Sequence, residues 1–586
     1  MIFAAKTTAS GLIALLVAFT FNLDQPQWAL LTVFIVAQRQ SGLVLAKSFY
    51  RIIGTLIGAA AALLFVALFA QERVLFLGAL ALWVGLCTFG SQFARNFAAY
   101  AFVLCGYTVA IVGIPAALDV GNAFYIATAR VTEISLGIIV TATVSGVVRP
   151  SALSAELRQA VADAHLWLAD FVLAVIGERD AVMLRTKLIS QAILIENLRA
   201  SAVFEDREIR DRNGALRQFD IALLDVVGAA QVLGERLELL RQVTERVAAG
   251  VSEALADAAA TVGAWRAGTI GADALRAGLL AAAGRSSLSR LQDFFAALVL
   301  YAEAHEGWVS RRVPAPGHVR LAHANDGVLA LWTGVRATLA VVIVSTFWIL
   351  ADWPHGSTAA ILAAVATARL TTMGHAVPVS IAATLIFGLA TLPAFIIVEV
   401  VLPLVWGFEM FALIVTPAIF CCALLMASKK VEVQLLGFLS GLLFASVGLF
   451  QNRMVYDPIG LLNTAMAAVF AAGTAFVLWS IVAPDTPEAA RRRFLRVAHR
   501  ALAEVGAAHP RIGMAEFETT MIEALEQLRA HLRPDRQEDA AVLEKGIALL
   551  GAGREVIRQR GEPGSAAVNG LALAADRQLG RFRDAA

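Results

Sequence analysis

Apolar and polar positions divide the chain into long apolar runs and two amphipathic stretches. Apolar runs fall at about 2–23, 28–46, 52–70, 74–91, 97–114 and 123–148, and again at about 328–351, 356–373, 377–402, 406–427, 432–450 and 458–483. Runs of this length with few charges predict membrane-spanning helices, six in each half. Between and after them, Leu216, Phe219, Leu223, Val226 and Val227 recur at threes and fours, as do Leu237, Leu240, Val243 and Val247. That spacing predicts amphipathic helices rather than strands. Asn213-Gly214 and the stretch 268–271 read as helix breaks, and the last 100 or so residues read as about four helices ending near His509-Pro510, Leu532, Gly561 and the C-terminus. The pattern predicts an all-α polytopic membrane protein. It has two parallel six-span repeats (1–150 and 328–484), each followed by a cytoplasmic helical domain (151–327 and 485–586).

Parity and charge set the orientation. The first 23 residues carry only Lys6 as a basic flank and no clear small-residue cleavage site before Asp24, so they read as an uncleaved first span. Six spans return the chain to its starting side, which makes the repeats parallel. Arg39, Lys47, Arg51, Arg95, Arg149, Arg369, Lys429 and Lys430 then share one side, against Arg73 and Arg453 on the other. The basic side is cytoplasmic, so both termini and the central domain lie inside.

Two stretches stand out. Asp24-Gln-Pro-Gln-Trp28 leads into ten apolar residues and stops at Arg39; Asp352-Trp353-Pro354-His355-Gly356 leads into another short apolar run and stops at Arg369. At 1.5 Å per residue neither run crosses a core of about 30 Å without breaking or drawing its arginine into the membrane. Charge and irregular backbone persist at that depth only where protein or a water-filled cavity surrounds them. Short segments at matching places in two halves point to a transporter's substrate site.

Composition narrows the class. Hydrophobic residues make up 59% and charged residues 16%, well below the roughly 25% charged of soluble proteins. The net charge of +2 gives no reason to expect a nucleic-acid partner. Cys87, Cys105, Cys421 and Cys422 all lie in apolar runs and read as small packing residues, with no disulfide framework. No phosphate-cradling G-x-x-x-x-G-K-[ST], no metal-ligand spacing among the nine histidines and no nucleophile–base signature occurs, so no enzyme activity, cofactor or metal is implied.

The candidate chemistry is therefore ionic. Lys6 with its repeat partner Arg336, Arg39 with Arg369, and Arg51 are candidates for holding an organic anion, since a guanidinium forks onto a carboxylate. The competing reading is cytoplasmic-side charges that snorkel to water, favoured for Lys47 and Arg95. Trp28 reads either as an interfacial anchor or as a face for an aromatic substrate. Arg130 and Glu133, three apart inside the sixth span, share a helix face; Thr464 and Ala467 occupy those places in the second half. They form either a neutralising ion pair or a proton-coupling pair. Asp24 and Asp352, at the two corners, are further proton candidates.

Lys6, the corner Gln25-Pro-Gln-Trp28-Ala-Leu-Leu-Thr-Val, Arg39, Arg51-Ile-Ile-Gly54-Thr-Leu-Ile-Gly58 and Asn96-Phe-Ala-Ala-Tyr100 through Gly106-Tyr107-Thr108 together resemble the fusaric acid resistance (FUSC) family. The second half departs from the pattern: His355-Gly356 replaces Gln-Trp, and Ser380 replaces the arginine. The resemblance implies an inner-membrane exporter of aromatic carboxylic acids driven by the proton-motive force. Its partners would be the organic anion, membrane lipid, a periplasmic membrane-fusion subunit and further copies of the chain. The six-span half is more distantly similar to plant aluminium-activated malate channels. Two rivals stand beside the exporter: a passive organic-anion channel, and a non-transporting membrane scaffold for envelope assembly.

Overall fold

The structure is a computed structural model. It describes residues 1–148, 153–310 and 326–532, apart from 95, 178, 180, 241–244, 286–288, 374–375, 449, 453, 485, 507–513 and 530–531, with scattered residues between 542 and 557. Every regular element among the described residues is helical. The chain forms two compact units, Met1–Ala152 with Asp326–Asp485 and Leu153–Asn325 with Thr486–Ala586.

The first unit holds twelve α-helices among its described residues: α1 (Ile2–Thr20), α2 (Gln27–Val36), α3 (Ser41–Phe69), α4 (Arg73–Ser91), α5 (Asn96–Leu118), α6 (Ala123–Val147), α7 (Gly327–Leu350), α8 (Gly356–Leu370), α9 (Ala376–Phe395), α10 (Gly407–Met426), α11 (Val431–Val447) and α12 (Pro458–Ile481). Helix α9 continues through a π-helical turn at Ile396–Val401, just beyond Pro393, whose missing N–H breaks the regular ladder. Among the described residues ten helices are long and apolar enough to cross a membrane, nine here and Leu153–Ile176 in the second unit; α2, α8 and α11 are shorter. At 10 residues α2 is about 15 Å long, half a hydrocarbon core.

One boundary differs from expectation. The sequence places a loop near 46–52, but α3 runs unbroken for 29 residues from Ser41, and the break falls at 37–40 instead. Nothing in Lys47-Ser-Phe-Tyr-Arg51 stops a helix; charge alone suggested the loop. Lys47 and Arg51 are therefore inside a membrane helix and are not loop markers of orientation.

The two halves of this unit pack reciprocally. Helix α1 lies against α10 and α7 against α4; α2 lies against α11 and α8 against α5. Thus the first and second helices of each half meet the fourth and fifth of the other. Helices α4 and α7 cross where Gly85 and Gly334 face each other, and a Cβ on Gly334 would stand 2.8 Å from the Gly85 carbonyl oxygen. The corners before α2 and α8 also match. Asn22 and Asp352 both adopt positive φ, and the next residue's N–H bonds back five residues, Leu23 to Ala18 and Trp353 to Trp348. Each is a helix end closed by one left-handed residue, a place that asparagine and aspartate tolerate.

The second unit is a helical bundle. Leu216, Phe219, Leu223, Val226 and Val227 are buried along one face of Asn213–Leu240, as their spacing predicts, and Leu237 follows them. The helix begins at the break read at Asn213-Gly214, and Gly268 turns with positive φ between Glu245–Arg266 and Ala272–Ala283. His165 and His305 stack at 3.9 Å between ring centroids, with Trp265 edge-on to His165. Of the final helices, Pro487–Gly506 and Met514–Arg529 are present; the ends expected near His509-Pro510 and Gly561 lie outside the described residues.

Candidate functional site

The short helix α2 is enclosed by glycines on three neighbours. Gly11 of α1 faces Leu30, Gly137 of α6 faces Ala29 and Thr32, and Gly441 of α11 faces Phe34. A Cβ on Gly137 would stand 2.5 Å from the Ala29 carbonyl oxygen, so α6 reaches α2 only because residue 137 lacks a side chain. Trp28 and Thr32 are four apart on α2 and share a face. Each touches a different charged group.

Thr32 touches the first. Arg51, fully buried, donates through Nη1 to the Tyr100 hydroxyl at 2.6 Å and through Nη2 to Thr32 Oγ1 at 3.2 Å, while its buried Nε has no partner. Lys47, one turn earlier on α3, places Nζ 5.7 Å from the centre of the Tyr100 ring. Arg369, from the last turn of α8, places its guanidinium carbon 5.5 Å from the same ring and 6.0 Å from that of Phe438. Tyr107 also lies within interaction range of Arg51 and Tyr100. Three cations thus converge on one tyrosine, and among the described residues no carboxylate pairs with any of them. A buried guanidinium without a counter-charge costs several kcal/mol, roughly what breaking a buried ion pair costs. An anion entering the cluster offsets that cost. Arg51 lies about 15 Å along α3 from its start, well inside the membrane helix.

Trp28 touches the second. The Arg130 guanidinium sits 4.5 Å over the Trp28 ring and bonds Glu133 at 3.3 Å, and both charged side chains are buried. Glu133 also accepts from the Gln25 backbone N–H at 2.8 Å. The pair lies at the wall of a cleft of about 510 Å³, which Asp24, Tyr125 and, from the second half, Gln451 also line. Trp28 donates its indole N–H to Gln25 Oε1 at 3.2 Å. One partner of its ring is thus Arg130; the sequence left it either an interfacial anchor or a face for an aromatic substrate.

Two of the expected anion-binding arginines do other work. Arg39 is exposed and donates to the carbonyls of Ala427 and Ser428 at the end of α10. Arg336 is fully buried; it donates through Nε to the Val482 carbonyl at 2.8 Å and through Nη2 to that of Ala483, with its guanidinium carbon 4.1 Å over Trp479. Both are cations at helix C-termini, where unpaired carbonyls and the helix dipole attract them. Lys6 is half-buried on α1. Asp352 is exposed at its corner. The site that does assemble takes Arg51 and Arg369 from the sequence reading and adds Lys47, Tyr100, Tyr107 and Thr32. Their signal was the four-residue spacing of Lys47 and Arg51 and the seven-residue spacing of the two tyrosines, visible once α3 is read as one helix.

A helical membrane body enclosing a basic cluster that no carboxylate pairs with among the described residues defines a multi-pass membrane protein of the transporter class. The chain belongs to the fusaric acid resistance protein family, whose model matches residues 1–585. It is 25% identical over 596 residues to the uncharacterized transporter YdhK of Escherichia coli K12, across 95% of this chain and 84% of that protein. It is similar to p-hydroxybenzoic acid efflux pump subunits AaeB: 29% identical over 215 residues to that of Edwardsiella ictaluri, covering 35% of this chain and 33% of that protein. The subunit of Enterobacter cloacae is 24% identical over 403 residues, covering 62% and 58%.

Proposed function

We propose that the chain is an inner-membrane exporter of aromatic carboxylic acids coupled to the proton gradient. One observation carries the reading: Lys47, Arg51 and Arg369 surround Tyr100 inside a membrane unit, with no carboxylate pairing with them among the described residues. The substrate carboxylate bridges Arg51 and Arg369, and its ring lies against Tyr100 and Phe438. The efflux-pump relatives, named for p-hydroxybenzoic acid, support the substrate class. Residues 1–150 and 328–484 serve as the two six-span repeats, a layout that the reciprocal packing and the matched corners support. Residues 151–327 and 485–586 form the cytoplasmic domains, both termini lie inside, and a periplasmic membrane-fusion subunit receives the exported acid.

Coupling falls to Arg130 and Glu133. A substrate carboxylate reaching the cleft competes with Glu133 for Arg130, and Glu133, losing its counter-charge, takes a proton. Asp24 at the cleft relays it. Reconstitution into liposomes tests the reading with labelled p-hydroxybenzoate. Flux that accelerates when a proton gradient is imposed supports it. Flux that follows the substrate's own electrochemical gradient alone identifies a channel, and absence of flux leaves the scaffold.

A further inference from the structure

We propose that the basic cluster selects a planar aromatic dianion, carrying two carboxylates, over a monocarboxylate. The inference rests on the cluster being the organic-anion site. Three cations face one tyrosine: Arg51 on the hydroxyl at 2.6 Å, Lys47 and Arg369 at 5.7 and 5.5 Å from the ring centre. Tyr100 and Thr32 bring hydroxyls and no charge, and no carboxylate pairs with the three cations among the described residues. One carboxylate therefore leaves two positive charges in a low-dielectric interior, where charge interactions are several times stronger than in water.

A second carboxylate answers the spacing as well as the charge. Lys47 and Arg51 stand four apart on α3, roughly 5–6 Å between Cβ atoms. The carboxylates of a benzenedicarboxylate, held across one ring, are separated on that scale. One meets the fork of Arg51, whose Nε lacks a partner; the other meets Lys47, and Arg369 closes over the ring. The aromatic walls of Tyr100, Tyr107 and Phe438 favour a flat body over a flexible chain. Lys47 is the specificity-determining residue: it is the cation that a monocarboxylate held by Arg51 and Arg369 leaves without a counter-charge.

The test is binding of benzoate and isophthalate to the purified full-length protein in detergent, by calorimetry, for the parent and for Lys47→Met and Lys47→Arg. The parent is expected to bind isophthalate at least about tenfold more tightly than benzoate. Lys47→Met should collapse that ratio towards one by weakening isophthalate far more than benzoate, and Lys47→Arg should keep it. Equal affinities in the parent, or a ratio that survives Lys47→Met, overturn the proposal while leaving the anion site intact. If neither acid binds, the organic-anion reading fails, and this inference with it. Should Lys47→Met not fold, Lys47→Gln takes its place.

Discussion

The Arg130–Glu133 pair offers a prediction whose size follows from the geometry. In Glu133→Gln the new amide oxygen still accepts from the Gln25 N–H, but Arg130 loses its counter-charge 3.3 Å away. Removing one partner of a buried pair costs about 3–5 kcal/mol. Trp28 stays beneath the guanidinium at 4.5 Å in parent and variant alike, so that contact cancels in the difference. The expected loss is therefore about 3–5 kcal/mol, read as a melting temperature in detergent well below the parent's. Arg130→Thr with Glu133→Ala copies the second half's Thr464 and Ala467, leaves no lone charge, and should recover the parent's melting temperature. In proteoliposomes both variants should lose acceleration by a proton gradient. If Glu133→Gln melts with the parent, the pair is not desolvated as described. If the double variant still exports against a substrate gradient, Glu133 is not the coupling acid.

Three other predictions follow from particular contacts. Arg336→Met removes the donors to the Val482 and Ala483 carbonyls; it should lower the melting temperature by the equivalent of about 2–3 kcal/mol while leaving benzoate affinity within about twofold. Gly137→Ala places a methyl 2.5 Å from the Ala29 carbonyl oxygen and 2.8 Å from the Thr32 Cβ; it should displace α2 and reduce transport at least about tenfold with normal membrane insertion. Burial and the neighbouring His165 hold His305 at about 3, below its ordinary 6.5. The unfolded chain therefore binds more protons between those values, so this stability is complete above pH 6.5 and is lost as pH falls towards 3. Hydrogen exchange across 289–309 in the full chain should reveal a loss on the order of 1–2 kcal/mol, which His305→Phe should reduce.

Much of this was legible in the residues. Helix type followed from periodicity, and the two short segments from Pro26, Pro354 and the arginines that end them. The ion pair followed from the three-residue spacing of Arg130 and Glu133. Register of charge was harder. Lys47 and Arg51 looked like a loop because charge in an apolar run usually marks a membrane surface. The actual break at 37–40 carries no glycine or proline to announce it. Arg39 and Arg336 looked like Arg51 in sequence, since an arginine in or beside an apolar run has one appearance whether it meets a ligand or a carbonyl. Only the fold brings Ala427 to Arg39 and Val482 to Arg336. Tyr100 stood in the family-like motif, yet its partners lie on α3 and α8, which no local pattern joins.

The central claim is that Arg51 is buried for the sake of an anion, and Arg51→Met tests it most directly. Methionine fills the space without charge; it gives up the bonds to the Tyr100 and Thr32 hydroxyls, which are neutral groups, and removes the larger cost of a buried cation without a counter-charge. Melting temperature and p-hydroxybenzoate flux should be measured on the same reconstituted preparation. The account predicts a protein at least as stable as the parent whose flux is lost. A variant that is destabilised, or that transports as the parent does, would contradict it: in the first case Arg51 holds the fold together, and in the second the substrate passes elsewhere.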